Sequence, residues 1–119
     1  MDTLSLPSSP LTNTEWQPVD AEKVVAGTPK TTYKVIYSSA SQEFHAGVWQ
    51  STPGKWNVSY GEDEFCTLLE GTVILTASGG QAQKYTAPES FVIPSGFNGT
   101  WESATNVRKY FVIYEKTLP

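Results

Sequence analysis

The sequence predicts a single all-β domain, and three observations predict it. Short runs rich in β-branched and aromatic residues recur from Thr31 onward, each closed by Gly, Pro, Ser or Asn. Aromatic residues make up 13% of the 119 positions, with 4 Trp and 6 Tyr, a bias that suits pleated surfaces better than helices. No stretch carries the apolar period of an amphipathic helix.

Taken in order, residues 1–20 read as a loose N-terminal arm, because Ser, Thr and Pro crowd its first half, and residues 21–119 as the barrel domain. The predicted strands run Thr31 to Ser38, Glu43 to Ser51, Lys55 to Tyr60, Glu64 to Leu69, Thr72 to Ala77, Ala82 to Thr86, Ser90 to Ile93, Thr100 to Ser103 and Val107 to Glu115. Pro53-Gly54 marks one turn between them. Ser78-Gly79-Gly80-Gln81 marks a hairpin in which Gly supplies positive φ, and Pro94-Ser95-Gly96 marks another turn.

Composition narrows the function. A net charge of -4 disfavours binding to nucleic acid, where phosphate contacts need clustered cations, and disfavours docking on an anionic membrane. A small molecule and a second copy of the chain are the expected partners, the latter because small open barrels must cover their strand edges. A single Cys forms no internal disulfide and builds no zinc site by itself. Residues 1–18 carry neither Lys nor Arg nor a continuous apolar segment, and no stretch is long enough to span a bilayer, so a cytoplasmic location is expected.

Two patterns stand out between Gly54 and Trp101. Glu64 is followed by six residues and then Gly71, closing on Leu68-Leu69-Glu70-Gly71, while Phe91-Val92-Ile93-Pro94-Ser95-Gly96 leads on to Gly99 and Trp101. Gly47-Val48-Trp49, Cys66 and Val107-Arg108-Lys109-Tyr110 flank them. These resemble the two motifs of the cupin superfamily. The combination is similar to the branch named for the ureidoglycine aminohydrolase cupin domain, which also holds ethanolamine-utilisation cupins and small DUF861-type proteins. The resemblance covers the chain from about Lys30 onward. It implies a double-stranded β-helix, the RmlC-like jelly-roll barrel, and no particular reaction, because members of the branch differ in activity.

Ordinary cupins hold a metal with three histidines and the Glu of the first motif. Here the paired histidine positions fall on Val58 and Tyr60, or on Asn57 and Ser59 with the alternative spacing, and the last falls on Gly99. Only Glu64 is kept, so the resemblance implies a barrel without metal or other cofactor.

Strand alternation ranks the candidate site residues. Trp56, Val58 and Tyr60 share the apolar, inward face of their strand. Packing explains Trp56 more readily than Tyr60, whose buried hydroxyl needs a partner. Glu64 and Cys66 share an inward face as well, and a buried carboxylate is kept only when it is paired, hydrogen-bonded or neutral. A carboxyl held neutral by burial would serve as a proton donor. Cys66 reads first as a small buried hydrophobe, since a neighbouring carboxylate raises a thiol pKa.

Trp101 is either core or a stacking platform in the space that the missing histidine at Gly99 leaves. His45, the one imidazole, reads as an ordinary strand residue. Of Arg108 and Lys109 only one can face inward, and alternation does not choose between them. The candidate pocket is therefore Trp56, Tyr60, Glu64, Cys66, Trp101 and Lys109, with Glu64 and Tyr60 as candidate catalytic groups.

Three functions compete. The first is a metal-free barrel binding a small polar metabolite, and transforming it, if at all, by acid/base chemistry. The second is a non-catalytic dimeric accessory module with an inert interior. The third is a metalloenzyme using Glu64, Cys66 and Tyr60, a donor set without imidazole that suits few metals.

Overall fold

A computed structural model describes residues 1–116 of the chain. Its strands are β1 (Gln17–Pro18), β2 (Val24–Ala26), β3 (Lys30–Ser38), β4 (Phe44–Ser51), β5 (Gly54–Ser59), β6 (Asp63–Glu70), β7 (Thr72–Ala77), β8 (Ala82–Thr86), β9 (Ser90–Ile93), β10 (Asn98–Ser103) and β11 (Val107–Tyr114). Among the described residues every regular element is a strand, and no helix is long and apolar enough to cross a membrane. Two antiparallel sheets face each other, a six-stranded one in the order β1-β3-β4-β11-β6-β9 and a five-stranded one in the order β2-β5-β10-β7-β8. This is the single-domain cupin jelly roll that the motifs imply.

The nine strands predicted from sequence are all present, within two residues at each end. Gly54 opens β5 instead of closing a turn, and Tyr60 lies just past the end of that strand. Gly79 and Gly96 do take positive φ, at 73° and 95°, in the β7–β8 hairpin and the β9–β10 turn. Two strands were not foreseen, β1 and β2. They are too short to show a period, and exist through pairing with β3 and β5.

The core lies between the sheets. Trp56, Cys66, Leu68, Val73, Leu75, Phe91, Ile93, Trp101 and Val107 form its buried cluster. The outer face of the larger sheet is also partly covered, by residues 1–14. Tyr110 Oη donates to Leu6 O at 3.2 Å, Arg108 Nε donates to Ser8 O at 3.1 Å, and Leu11 N donates to Gln50 Oε1. Val48, which points outward, is consequently fully buried, and Gln50 nearly so.

Candidate functional site

The site begins with a register irregularity. On β11, Val107, Lys109, Phe111 and Ile113 face inward, opposite Leu68, Cys66 and Glu64 of β6 for the last three. Between Arg108 and Lys109 the pairing slips by one residue, so that Leu69 is skipped. Such a bulge reverses the parity of the strand beyond it. Glu70 therefore points outward with Arg108, and the two form an ion pair at 2.7 Å on the surface. The choice that the sequence left open is resolved: Lys109 enters the barrel and Arg108 does not.

Inside, the Lys109 side chain runs along β6 to Glu64. Nζ donates to Glu64 Oε2 at 2.6 Å and to Cys66 Sγ at 3.3 Å, while the Cys66 thiol donates to the same Oε2 at 3.1 Å. Side-chain exposure is 5% for Lys109 and 7% for Glu64, so both charges are removed from water together. The ammonium also sits over two indoles, 4.5 Å from the Trp101 ring centre and 4.8 Å from that of Trp49.

Above this floor the barrel is open. A cavity of about 670 Å³ extends from the ion pair between walls of Trp49, Trp56, Tyr60, Trp101 and Phe111 to a mouth bordered by Lys23, Tyr33 and Glu62. Trp49 meets Trp101 edge-on, with ring centres 5.2 Å apart, and Trp56 tilts against both at 6.3 and 6.4 Å. Trp101 is locked from behind: its Nε1 donates to Ser103 Oγ at 2.9 Å, and Ser51 Oγ donates to the same hydroxyl at 2.9 Å. Core residue and cavity wall are thus one role for Trp101, at 1% exposure. Tyr60 is held by its backbone, which pairs with Phe97 O and Gly96 N, and its ring packs edge-on against Phe97.

Burial governs the titrating groups. Desolvation pushes the Cys66 thiol up to about 12, with the Lys109 charge opposing and Glu64 reinforcing it. Desolvation likewise raises the Tyr60 phenol above its ordinary range, against the pull of Lys109. For Lys109 burial is the largest effect and works against the ammonium. The surrounding Cys66, Glu64 and Tyr60 groups outweigh it, and the pKa lies above the usual lysine value. Lys109 and Tyr60 therefore present an ammonium and a neutral phenol to the cavity. Glu64 has the Lys109 ammonium beside it at 2.6 Å, not the apolar setting expected from the sequence.

Several expectations change on this geometry. Cys66 lies behind the ion pair, fully buried, and does not line the cavity. Gly99 leaves no space for an indole, because β7 fills it: a Cβ there would meet Thr76 O at 2.0 Å. Trp49 was not singled out as a pocket residue, although its alternation with Gly47 and His45 along β4 carried the signal. The signal was masked because Val48, on the opposite face, is equally apolar and is buried under the arm. His45 also borders the cavity, with both ring nitrogens engaged, Nδ1 with Ser38 Oγ at 2.7 Å and Nε2 with Gln42 O at 2.9 Å.

A metal does not fit these residues. Among the described residues no three His, Cys, Asp or Glu side chains converge. The Lys109 ammonium lies within hydrogen-bond reach of both Glu64 and Cys66, so a metal ion there would have to displace a tethered cation.

Comparison with known proteins follows the same lines. Residues 38–111 match the model of the EutQ-like cupin domain. A DUF861-family protein of unknown function from Pseudomonas syringae pv. tomato superposes with a TM-score of 0.80 at 22% identity, over 91% of this chain and 46% of the other. This chain thus spans about half the length of that protein. The EutQ protein of Clostridium difficile superposes with a TM-score of 0.66 at 15% identity, over 82% and 75% of the two chains. A DUF861-family protein from Thermotoga maritima gives a TM-score of 0.52 at 25% identity, over 54% and 73%. No curated protein matches the chain.

Proposed function

The chain belongs to the EutQ-like cupin domain family, and on that premise we propose that its barrel binds a small polar metabolite, oriented by Lys109, Glu64 and Tyr60. One observation carries this reading: a desolvated ion pair forms the floor of an open, aromatic-walled cavity. A buried pair is a poor stabiliser compared with apolar residues of the same volume, so its presence on a cavity wall is better explained by a ligand than by folding. Pockets of this size, mostly apolar with a few convergent polar groups, are the usual form of small-molecule sites. Any turnover would use Lys109 and Tyr60 as fixed hydrogen-bond donors to charge developing on the substrate, since both hold their protons tightly. The single buried thiol fits a cytoplasmic setting.

An unbiased metabolite screen by thermal shift tests the reading, because a ligand of the native state raises the melting temperature by mass action. At least one stabilising metabolite is expected, and its effect should weaken in Lys109→Met and Tyr60→Phe. A screen without a hit would leave the accessory module as the better account.

That second reading has its own support on the outside of the larger sheet. Ala46, Val112, Phe65 and Val92 are register neighbours in an outward row across β4, β11, β6 and β9, with Phe65 and Val92 exposed at 45% and 60%. A second copy packing on this row would make a homodimer. Dimerisation on this row is compatible with a ligand in the barrel, whereas the inert interior of the accessory module is not.

A further inference from the structure

At the floor of the cavity the ion pair is not closed on itself. An ammonium carries three N–H donors, and Lys109 directs one to Glu64 Oε2 and one to Cys66 Sγ. Both bonds that Glu64 accepts from these neighbours fall on Oε2, so Oε1 is engaged by neither. Lys109 and Glu64 both line the cavity. Glu64 Oε1 and the third Lys109 N–H thus lie next to each other at the inner end of the cavity. That N–H has only the Trp49 and Trp101 ring faces beside it, and a carbonyl would compete with the rings for it.

We infer that the cavity takes a small, planar, uncharged molecule whose edge carries a carbonyl oxygen beside an N–H, as in a carboxamide, a lactam or an imide ring. The inference rests on the metabolite-binding reading and specifies its ligand. The carbonyl accepts the third Lys109 proton while the N–H donates to Glu64 Oε1, which satisfies both groups at once. Charge selects in the same direction. The pair sums to zero, so an anion meets the Glu64 carboxylate, a cation meets the Lys109 ammonium, and either leaves a net charge where both groups are already desolvated. Shape agrees as well, since Trp49, Trp56 and Tyr60 offer ring surfaces against which a flat molecule packs. A ketone of the same outline would fill the space and leave Oε1 unpaired, which is the kind of mismatch that polar sites reject strongly.

Four probes with one pyridine ring and different edges test this on the wild-type chain: nicotinamide, nicotinate, 3-acetylpyridine and 3-(aminomethyl)pyridine. Binding is read by tryptophan fluorescence, because three indoles line the cavity, and by thermal shift. Nicotinamide is expected to bind about tenfold or more tightly than each of the others. Equal or tighter binding of any of the other three overturns the inference, as does the absence of a saturable response to both nicotinamide and the imide ring uracil. If metabolites of another kind stabilise the protein while these do not, the inference falls and the binding reading stands; if nothing stabilises it, both fall. The double variant Glu64→Leu with Lys109→Met removes the pair together and strands no charge. It should fold and lose the preference for nicotinamide, and retention of that preference would equally sink the assignment.

Discussion

Lys109 places a positive charge beside the single metal-ligand position of the fold that this chain keeps, and the charge belongs to the protein itself. Glu64→Gln leaves that ammonium buried without its counter-ion, at a cost on the order of 3 kcal/mol or more. In a domain of this size the expected drop in melting temperature is on the order of 10 °C, measurable by calorimetry. The double variant that removes both charges should melt well above the sum of the single losses. An additive result would show that the two side chains are not coupled. Alkaline pH probes the same residues. Cys66, Tyr60 and Lys109 all hold their protons more tightly when folded, so the native state binds more protons than the unfolded one and stability falls as pH rises. The loss should begin near the unfolded thiol value of 9.0 and continue as pH rises toward the native Cys66 value of about 12. A melting temperature that stays level from pH 8 to 11 would contradict this, and so would rapid alkylation of Cys66 in the native protein at pH 9.

At the scale of elements, the contact between β7 and β10 is so close that Gly99 tolerates no side chain, with Thr76 O and the Ala77 Cα both inside the radius of an added Cβ. Restoring the missing histidine by Gly99→His should therefore unfold the barrel and gain no metal, a result that far-ultraviolet circular dichroism with and without zinc would show. The arm makes a second prediction. Removing residues 1–14 uncovers Val48 and takes the partners from Arg108 Nε and Tyr110 Oη, so the truncated protein should melt several degrees lower while its cavity, on the other side of the sheet, binds as before. Strands and turns were legible because β-branched runs and Gly-rich punctuation are local signals. The inward facing of Tyr60, Glu64 and Trp101 was legible through alternation taken together with the motif positions of Glu64 and Gly99. Lys109 was not, because two adjacent cations and a bulge at Leu69 leave parity undetermined until β6 and β11 are in register. Trp49 and the docking of the arm on the sheet escaped for a related reason: a strand covered on both faces has no polar side to reveal which face is inner.

The whole molecule presents a contiguous apolar row on the sheet that the arm covers only in part. Static light scattering at micromolar concentration should report a dimer, and Phe65→Glu, which puts a charge in the middle of that row, should return it to monomer without lowering the melting point of the barrel. A wild-type monomer would remove the dimeric accessory role. The order of strands within the larger sheet bears on something else, the birth of the protein. Among the described residues β11 follows every other strand in sequence, yet it lies in the middle of its sheet, with β4 on one side and β6 on the other. Until it is made, β1-β3-β4 and β6-β9 share no seam, Glu64 has no counter-ion, and Leu6 and Ser8 wait for partners about a hundred residues ahead. The two halves of the larger sheet therefore cannot join until β11 is made, and a chain truncated after Asn106 should leave β4 and β6 open to protease. The larger sheet is thus closed by slow non-local pairing, around the strand that also brings the lysine into its cavity.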